Sequence, residues 1–288
     1  MRIDDFQVMP GRKVRLSRFS TSHTRGVKDK VEAKKRLAVN IDELATQQER
    51  LAAQDQYALL IIFQAMDAAG KDSTIKHVLT GVNPQGVHVT SFKAPSSLQL
   101  DHDYLWRSAV ALPERGVIGI HNRSHYEEVL IVKVHPEMLD HQHLPAEVRN
   151  GPIWKRRYRQ INDFERHLVE NGTAVLKFFL HVSKDEQRKR FLERIEEPTK
   201  HWKFSLQDVK ERAHWDDYHR AYEEMLEATS TKRAPWYVIP ADHKWYMQLA
   251  VGHIIVQTLR GLKLDMPALT EARRRDLIEA KALLDAGA

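Results

Sequence analysis

One stretch limits what this chain can fold into more than any other: Leu59-Leu60-Ile61-Ile62-Phe63-Gln64-Ala65-Met66-Asp67-Ala68-Ala69-Gly70-Lys71-Asp72-Ser73-Thr74. An apolar run ends abruptly and a turn of small residues follows. Gly70-Lys71 then opens a segment in which Ile75, Val78 and Leu79 recur at helical spacing. Buried strand, tight loop and helix together make a phosphate-binding loop. Backbone N–H groups and the helix N-terminus attract phosphate oxygens, and the lysine brings a mobile positive charge. The strict pattern G-x-x-x-x-G-K-[ST] is broken twice, by Ala65 at the first glycine and by Asp72 at the metal-binding hydroxyl. The plain alternative is a glycine turn after a buried strand, with a surface lysine.

The rest of the chain supplies a frame for this loop. Four further apolar runs read as strands: Val87–Phe92, Val117–Ile120, Ala174–Val182 and Trp236–Pro240. Helical patterns separate them, over about Lys30–Ala53, Leu98–Ala111, Trp154–Val169, Ser183–Ile195, Val209–Ala228 and Trp245–Leu262. In the stretch 98–111, Leu98, Leu105 and Ala109 are expected to face inward. Ser183 with Glu186 reads as a capping box. Residues 1–28 read as an irregular arm, and Thr270–Ala286 as an amphipathic tail helix. Five short strands alternating with helices predict an α/β fold with an open, five-stranded parallel sheet sandwiched between helices.

Composition narrows the chemistry. No cysteine is present, which excludes disulfides and thiolate sites, and the sixteen histidines lack the H-E-x-x-H spacing. No apolar stretch approaches a membrane span, and Met1-Arg2-Ile3-Asp4-Asp5 lacks a signal-peptide core, so a cytoplasmic protein is expected. The net charge of +6 suits a polyanionic partner, although on net charge alone a mildly basic solvated surface is the better explanation.

Ligands of open parallel sheets gather at the carboxyl ends of the strands. There the sequence sets Asp67, Gly70 and Lys71 after the first strand and Lys93 after the second. Asn122, Arg123 and Glu127 follow the third, and Arg188, Lys189, Arg190 and Arg194 follow the fourth. Carboxylates, an amide and several cations on one edge suit phosphoryl transfer. Asp67 is the most unusual of these, because an acid inside a phosphate loop repels the ligand unless a metal or a proton intervenes.

With these residues assembled, the chain resembles the polyphosphate kinase 2 family, and its class III members in particular. The resemblance rests on residues 64–72 (Gln-Ala-Met-Asp-Ala-Ala-Gly-Lys-Asp), 81–87 (Gly-Val-Asn-Pro-Gln-Gly-Val) and 91–95 (Ser-Phe-Lys-Ala-Pro). It continues through 103–107 (Asp-Tyr-Leu-Trp-Arg), 122–127 (Asn-Arg-Ser-His-Tyr-Glu), 178–187, 201–204 (His-Trp-Lys-Phe) and 234–241. About residues 1–265 are covered. The resemblance implies a single P-loop kinase domain over 1–288, with an N-terminal arm and helix to 56, a helical lid at about 184–210 and a tail from 265.

It further implies reversible, magnesium-dependent phosphoryl transfer from inorganic polyphosphate to AMP and ADP, with manganese as a substitute metal. Asp67, Lys71 and Arg123 would be catalytic. Ala68, Ala69, Gly70, Asp72, Ser73 and Asn122 would bind phosphate or nucleotide, as would Lys93 and Arg107 toward the acceptor and Arg188 and Lys203 from the lid. Asp67 and Glu127 would hold metal. The expected partners are polyphosphate and adenine nucleotides, with guanine nucleotides as an alternative, and a second copy of the chain in a dimer or tetramer; nucleic acid and membrane are not expected. Two other readings stay open: an ATP-dependent kinase of the same fold, and a polyanion-binding protein with a decayed site.

Overall fold

All five apolar runs become strands, and all run in the same direction. A computed structural model of the chain describes residues 1–287. The strands are β1 (Ala58–Ala65), β2 (Val87–Ser91), β3 (Ile118–Asn122), β4 (Thr173–His181) and β5 (Trp236–Pro240). Their spatial order is β2-β3-β1-β4-β5, with every neighbouring pair parallel. β1 lies at the centre and is buried along its whole length, so its sequence is continuously apolar rather than alternating. The register sets Phe63 opposite both Asn122 and Phe178, and Ser91 opposite Asn122. The strand ends that carry the chemistry therefore share one edge.

Among the described residues twelve α-helices accompany the sheet: α1 (Lys30–Gln54), α2 (Lys71–Val78), α3 (Ser97–Leu100), α4 (Trp106–Ala109), α5 (Ile131–Val134), α6 (Ala146–Arg149), α7 (Ile153–Glu170), α8 (Lys184–Glu196), α9 (Leu206–Glu211), α10 (Trp215–Thr229), α11 (Lys244–Gly261) and α12 (Glu271–Asp285). Helix α1 starts at Asp29, whose carboxylate accepts from the Val31 and Glu32 N–H groups. Helix α11 is buried on nearly all sides because it lies between the sheet and α1. The two helices approach closely at Gly252, where a Cβ would stand 3.2 Å from Leu37 Cδ1. Among the described residues no helix is long and apolar enough to cross a membrane.

Four local expectations need correction. The stretch 98–111 is two short helices, because Asp103 Oδ1 accepts from the Leu105 N–H (2.9 Å) and offers the backbone a turn instead of a helix. Leu98 and Ala109 consequently face solvent, and Leu105 is half-buried. The stretch 209–228 starts earlier, at Leu206, and is interrupted by a 3₁₀ turn at Arg212–His214. The capping box at Ser183 is half formed. Its hydroxyl accepts from the Glu186 N–H (3.1 Å), but its own N–H donates to Asp242 (2.8 Å), and Glu186 turns to Arg190. Finally, residues 1–28 are irregular yet packed. Val8 N–H donates to Trp236 O and Val238 N–H to Phe6 O, both at 2.8 Å, so this segment covers the open edge of β5 and buries Phe6, Val8, Val14 and Leu16. The tail helix α12 buries no residue.

Candidate active site

The loop between β1 and α2 is held in an unusual shape from behind. Ala68 and Gly70 both adopt left-handed backbone (φ +60° and +107°), which costs a non-glycine residue about 1–2 kcal/mol. Two side chains one turn apart on α8 offset that cost. Gln187 Nε2 donates to Asp67 O (2.9 Å), and Arg190 Nη1 donates to Ala68 O (3.0 Å) and Ala69 O (2.7 Å). Arg190 also reaches Ala241 O and Asp242 O through Nη2, and Glu186 through Nε. Three successive loop carbonyls thus point at α8. Because the N–H of each trans peptide points opposite to its C=O, the Ala68 and Gly70 N–H groups face away from that helix. Among the described residues no protein acceptor takes these two, nor the Lys71, Asp72 and Ser73 N–H groups that open α2. Five unspent donors around one turn form an anion-binding nest.

Lys71 folds back across this loop, with Nζ donating to Ala65 O (3.1 Å). Burial lowers its pKa to about 8, and repulsion from Arg123 adds to the shift. In the free protein the ammonium is therefore increasingly neutral above pH 8, and a bound polyanion restores the charge. Binding therefore takes up a proton above pH 8, and affinity falls by at most tenfold per pH unit as pH rises. Calorimetry of tripolyphosphate binding at pH 9, in two buffers of different ionisation enthalpy, is expected to show this uptake, and Lys71→Met is expected to remove it. Equal proton uptake in the variant would sink the assignment.

At the end of β3, Arg123 also has left-handed backbone (φ +63°), tied by its N–H to Phe63 O (3.0 Å). That turn aims the guanidinium at the loop, where Nη2 pairs with Asp67 Oδ1 at 2.8 Å. The pair is a partition between two cavities. On one side lies a cleft of about 590 Å³ that the loop residues 67–73, Lys93, Asn122 and Lys203 line. On the other lies a cavity of about 220 Å³ that contains Glu127, Tyr218 and Tyr222.

Glu127 therefore lies behind Arg123, not in the cleft. Burial raises its carboxyl pKa, against the pull of Arg123 and Lys71. With the Gln64 amide oriented by its hydrogen bonds, its nitrogen donates to Glu127 (2.8 Å) and its oxygen accepts from the Ser124 N–H (3.2 Å). Tyr126 is a packing residue: its hydroxyl joins Glu165 (2.6 Å) and Lys177 (2.9 Å) in the core, and its ring meets Trp236 edge-on.

Two of the other expected residues are not in the cleft. Arg107 lines a separate cavity of about 320 Å³, where Nη2 donates to Lys93 O (2.8 Å) and the guanidinium covers the Phe92 ring. It supports the backbone that carries Lys93. Arg188 lies on the exposed side of α8. The residues that do face inward are Arg190 and Arg194, on the same helical face as Gln187. Lys200 and Trp202, within the expected lid, also line the cleft, as does Lys244, which sequence reading missed. Helical periodicity anchored on buried Phe191 does not separate these residues, because Arg188 and Arg194 lie three positions to either side of it. Nothing local marks Lys244, which arrives from behind β5.

Across the cleft wall stand eight cations against four carboxylates, a surplus that favours a polyanion. Among the described residues no group of three or more histidines and carboxylates is assembled to hold a metal. Magnesium needs no such cage where one or two carboxylates act together with substrate phosphates, and Asp67 and Asp72 at the cleft fit that role.

Comparisons with known proteins agree with this geometry. The family model described as Polyphosphate kinase 2 (PPK2) matches residues 27–267. An ADP-polyphosphate phosphotransferase of Rhodopseudomonas palustris is 48% identical over 285 residues, covering 99% of both chains. An AMP/ADP-polyphosphate phosphotransferase of Meiothermus ruber is 45% identical, covering 95% of this chain and 99% of that one. The crystal structure of polyphosphate kinase 2 from Arthrobacter aurescens superposes with a TM-score of 0.85 at 41% identity, covering 96% of this chain and 95% of the other.

Proposed function

Since the chain belongs to the polyphosphate kinase 2 family, we propose that it moves a phosphoryl group from inorganic polyphosphate to AMP and to ADP, reversibly. One observation carries this reading. The nest of free N–H groups, Lys71 and Arg123 converge on a single cleft whose far wall continues the positive charge through Arg194, Lys200, Lys203 and Lys244. A donor with one charge per phosphate needs such a continuation, whereas a compact triphosphate would be satisfied by the loop alone.

The acceptor's terminal oxygen attacks the last phosphorus of the chain in line, and the bridging P–O bond behind it breaks, leaving polyphosphate one unit shorter. Lys71 and the loop N–H groups hold the oxygens of the donor. Arg123, fixed by Asp67, meets the phosphoryl group as its charge spreads. Asp67 presents its second oxygen at the junction of donor and acceptor, and Lys93 stands on the acceptor side, at the end of β2. Magnesium, or manganese in its place, supplies further neutralisation of the phosphate oxygens when bound, with Asp67 as a ligand from this chain. No covalent enzyme intermediate is needed.

A time course with AMP and polyphosphate, in the absence of ATP, tests the reading. ADP is expected to rise first and ATP to follow. Accumulation that stops at ADP would remove ADP as an acceptor. No product at all without added ATP would favour an ATP-dependent kinase instead.

A further inference from the structure

The two departures from the phosphate-loop pattern, Asp72 and Asn122, meet in space. In P-loop enzymes generally, the metal is held by the loop Ser or Thr after the lysine and by an Asp at the end of a neighbouring strand. In this chain the position after Lys71 is Asp72, and the strand-end residue of β3 is Asn122. Fifty residues apart in sequence, they touch: Asn122 Nδ2 donates to Asp72 Oδ1 at 2.6 Å, with Ser91 Oγ 3.5 Å from the same nitrogen.

We propose that the two groups have exchanged places. The carboxylate that faces the metal has moved from the strand end to the first turn of α2, at Asp72, and Asn122 has taken over as its neutral hydrogen-bonding partner. The inference rests on the kinase reading above and assigns a ligand within that site.

Three observations support it. Of the four carboxylates lining the cleft, Asp67 pairs with Arg123, Asp208 with Arg194 and Glu193 with Lys200, while Asp72 has no cation within 4 Å among the described residues. An unpaired carboxylate in a cleft with a surplus of cations is idle until something positive is brought to it, and as a direct phosphate contact it would only repel. Second, the exchange conserves charge: one anionic and one neutral group remain. Carboxylates at both positions would stand within hydrogen-bond distance of each other, and neutral groups at both would leave the cleft side of α2 with no anionic ligand. Third, the remaining carboxylate that sequence reading offered as a metal ligand, Glu127, lies behind Arg123 in the other cavity.

The test uses the full chain with Mn²⁺ and ADP, reading the ternary complex by the enhancement of water-proton relaxation. Asp72→Asn is expected to weaken Mn²⁺ binding by about tenfold or more without weakening ADP binding in the absence of metal. Asp72→Ser combined with Asn122→Asp restores the usual arrangement and is expected to recover Mn²⁺ binding to within a few-fold of wild type. Undiminished Mn²⁺ binding by Asp72→Asn overturns the proposal. So does a double variant no better than the single one, or a loss of metal-free ADP affinity on removing the carboxylate. A wild-type chain that forms no complex with Mn²⁺ and ADP would overturn the kinase reading and this assignment together, and so is distinguishable from a failure of the assignment alone.

Discussion

Replacing Asp67 by asparagine is expected to slow phosphoryl transfer from polyphosphate by about a thousandfold, roughly 4 kcal/mol of barrier, while the protein stays folded. The side chain is partly exposed in the cleft and pairs with a partly exposed Arg123, so its contribution to stability is small, about 1 kcal/mol or less. Asparagine keeps the size and one oxygen, so the guanidinium can stay in place. What disappears is the negative charge that the proposed reaction uses where donor and acceptor meet. Initial rates of ATP formation from ADP and polyphosphate, set beside a melting curve, separate the two effects. A rate within about tenfold of wild type would remove Asp67 from the chemistry. A melting temperature lowered by more than a few degrees would mean that its main role is structural.

The second large effect lies away from the cleft. Lys177 on β4 is fully buried, and its ammonium spends all three donors, on Glu165 (2.6 Å), Tyr126 (2.9 Å) and Thr229 O (2.8 Å). Lys177→Met is expected to destabilise the fold by about 3–5 kcal/mol, because Glu165 is left in the core without a counter-charge. For a chain of this size that lowers the melting temperature by about 10 °C. Adding Glu165→Leu is expected to return at least half of the loss, since removing both charges avoids the uncompensated one. If the single variant melts within about 2 °C of wild type, the pair does not carry the burden assigned to it. The network also has a local consequence. Tyr126 belongs to the turn that follows Arg123, so the core holds the turn from which the guanidinium is aimed.

Much of this arrangement was legible in the chain itself, and the reason is burial. β1, β3 and β4 are covered on both faces, so they read as short apolar runs with abrupt ends, and the residues just past those ends are the cleft. Asp67, Lys71, Asn122 and Arg123 could be picked out because each follows such an end. What lies on helices and long loops was harder to read. Arg188 and Arg190 differ by two positions and therefore by more than half a turn, so one is exposed and the other buried. A run of basic residues does not reveal which is which. Arg107 looked like an acceptor contact because its local sequence does. Its neighbour is the Lys93 carbonyl, a contact made across the turn at Asp103 that separates α3 from α4. The packing of residues 1–28 against β5 was equally hidden, since a segment that pairs through two backbone hydrogen bonds carries no periodicity of its own.

The grip of Gln187 and Arg190 on three loop carbonyls also limits how this protein can be taken apart and recombined. Residues 65–72 do not hold their shape by their own composition: Ala68 in left-handed backbone has no local reason to stay there. Transplanted alone into another scaffold, the loop would relax and its N–H groups would disperse. The smallest transferable part is the loop together with the inward face of α8, two segments that lie more than a hundred residues apart in the chain.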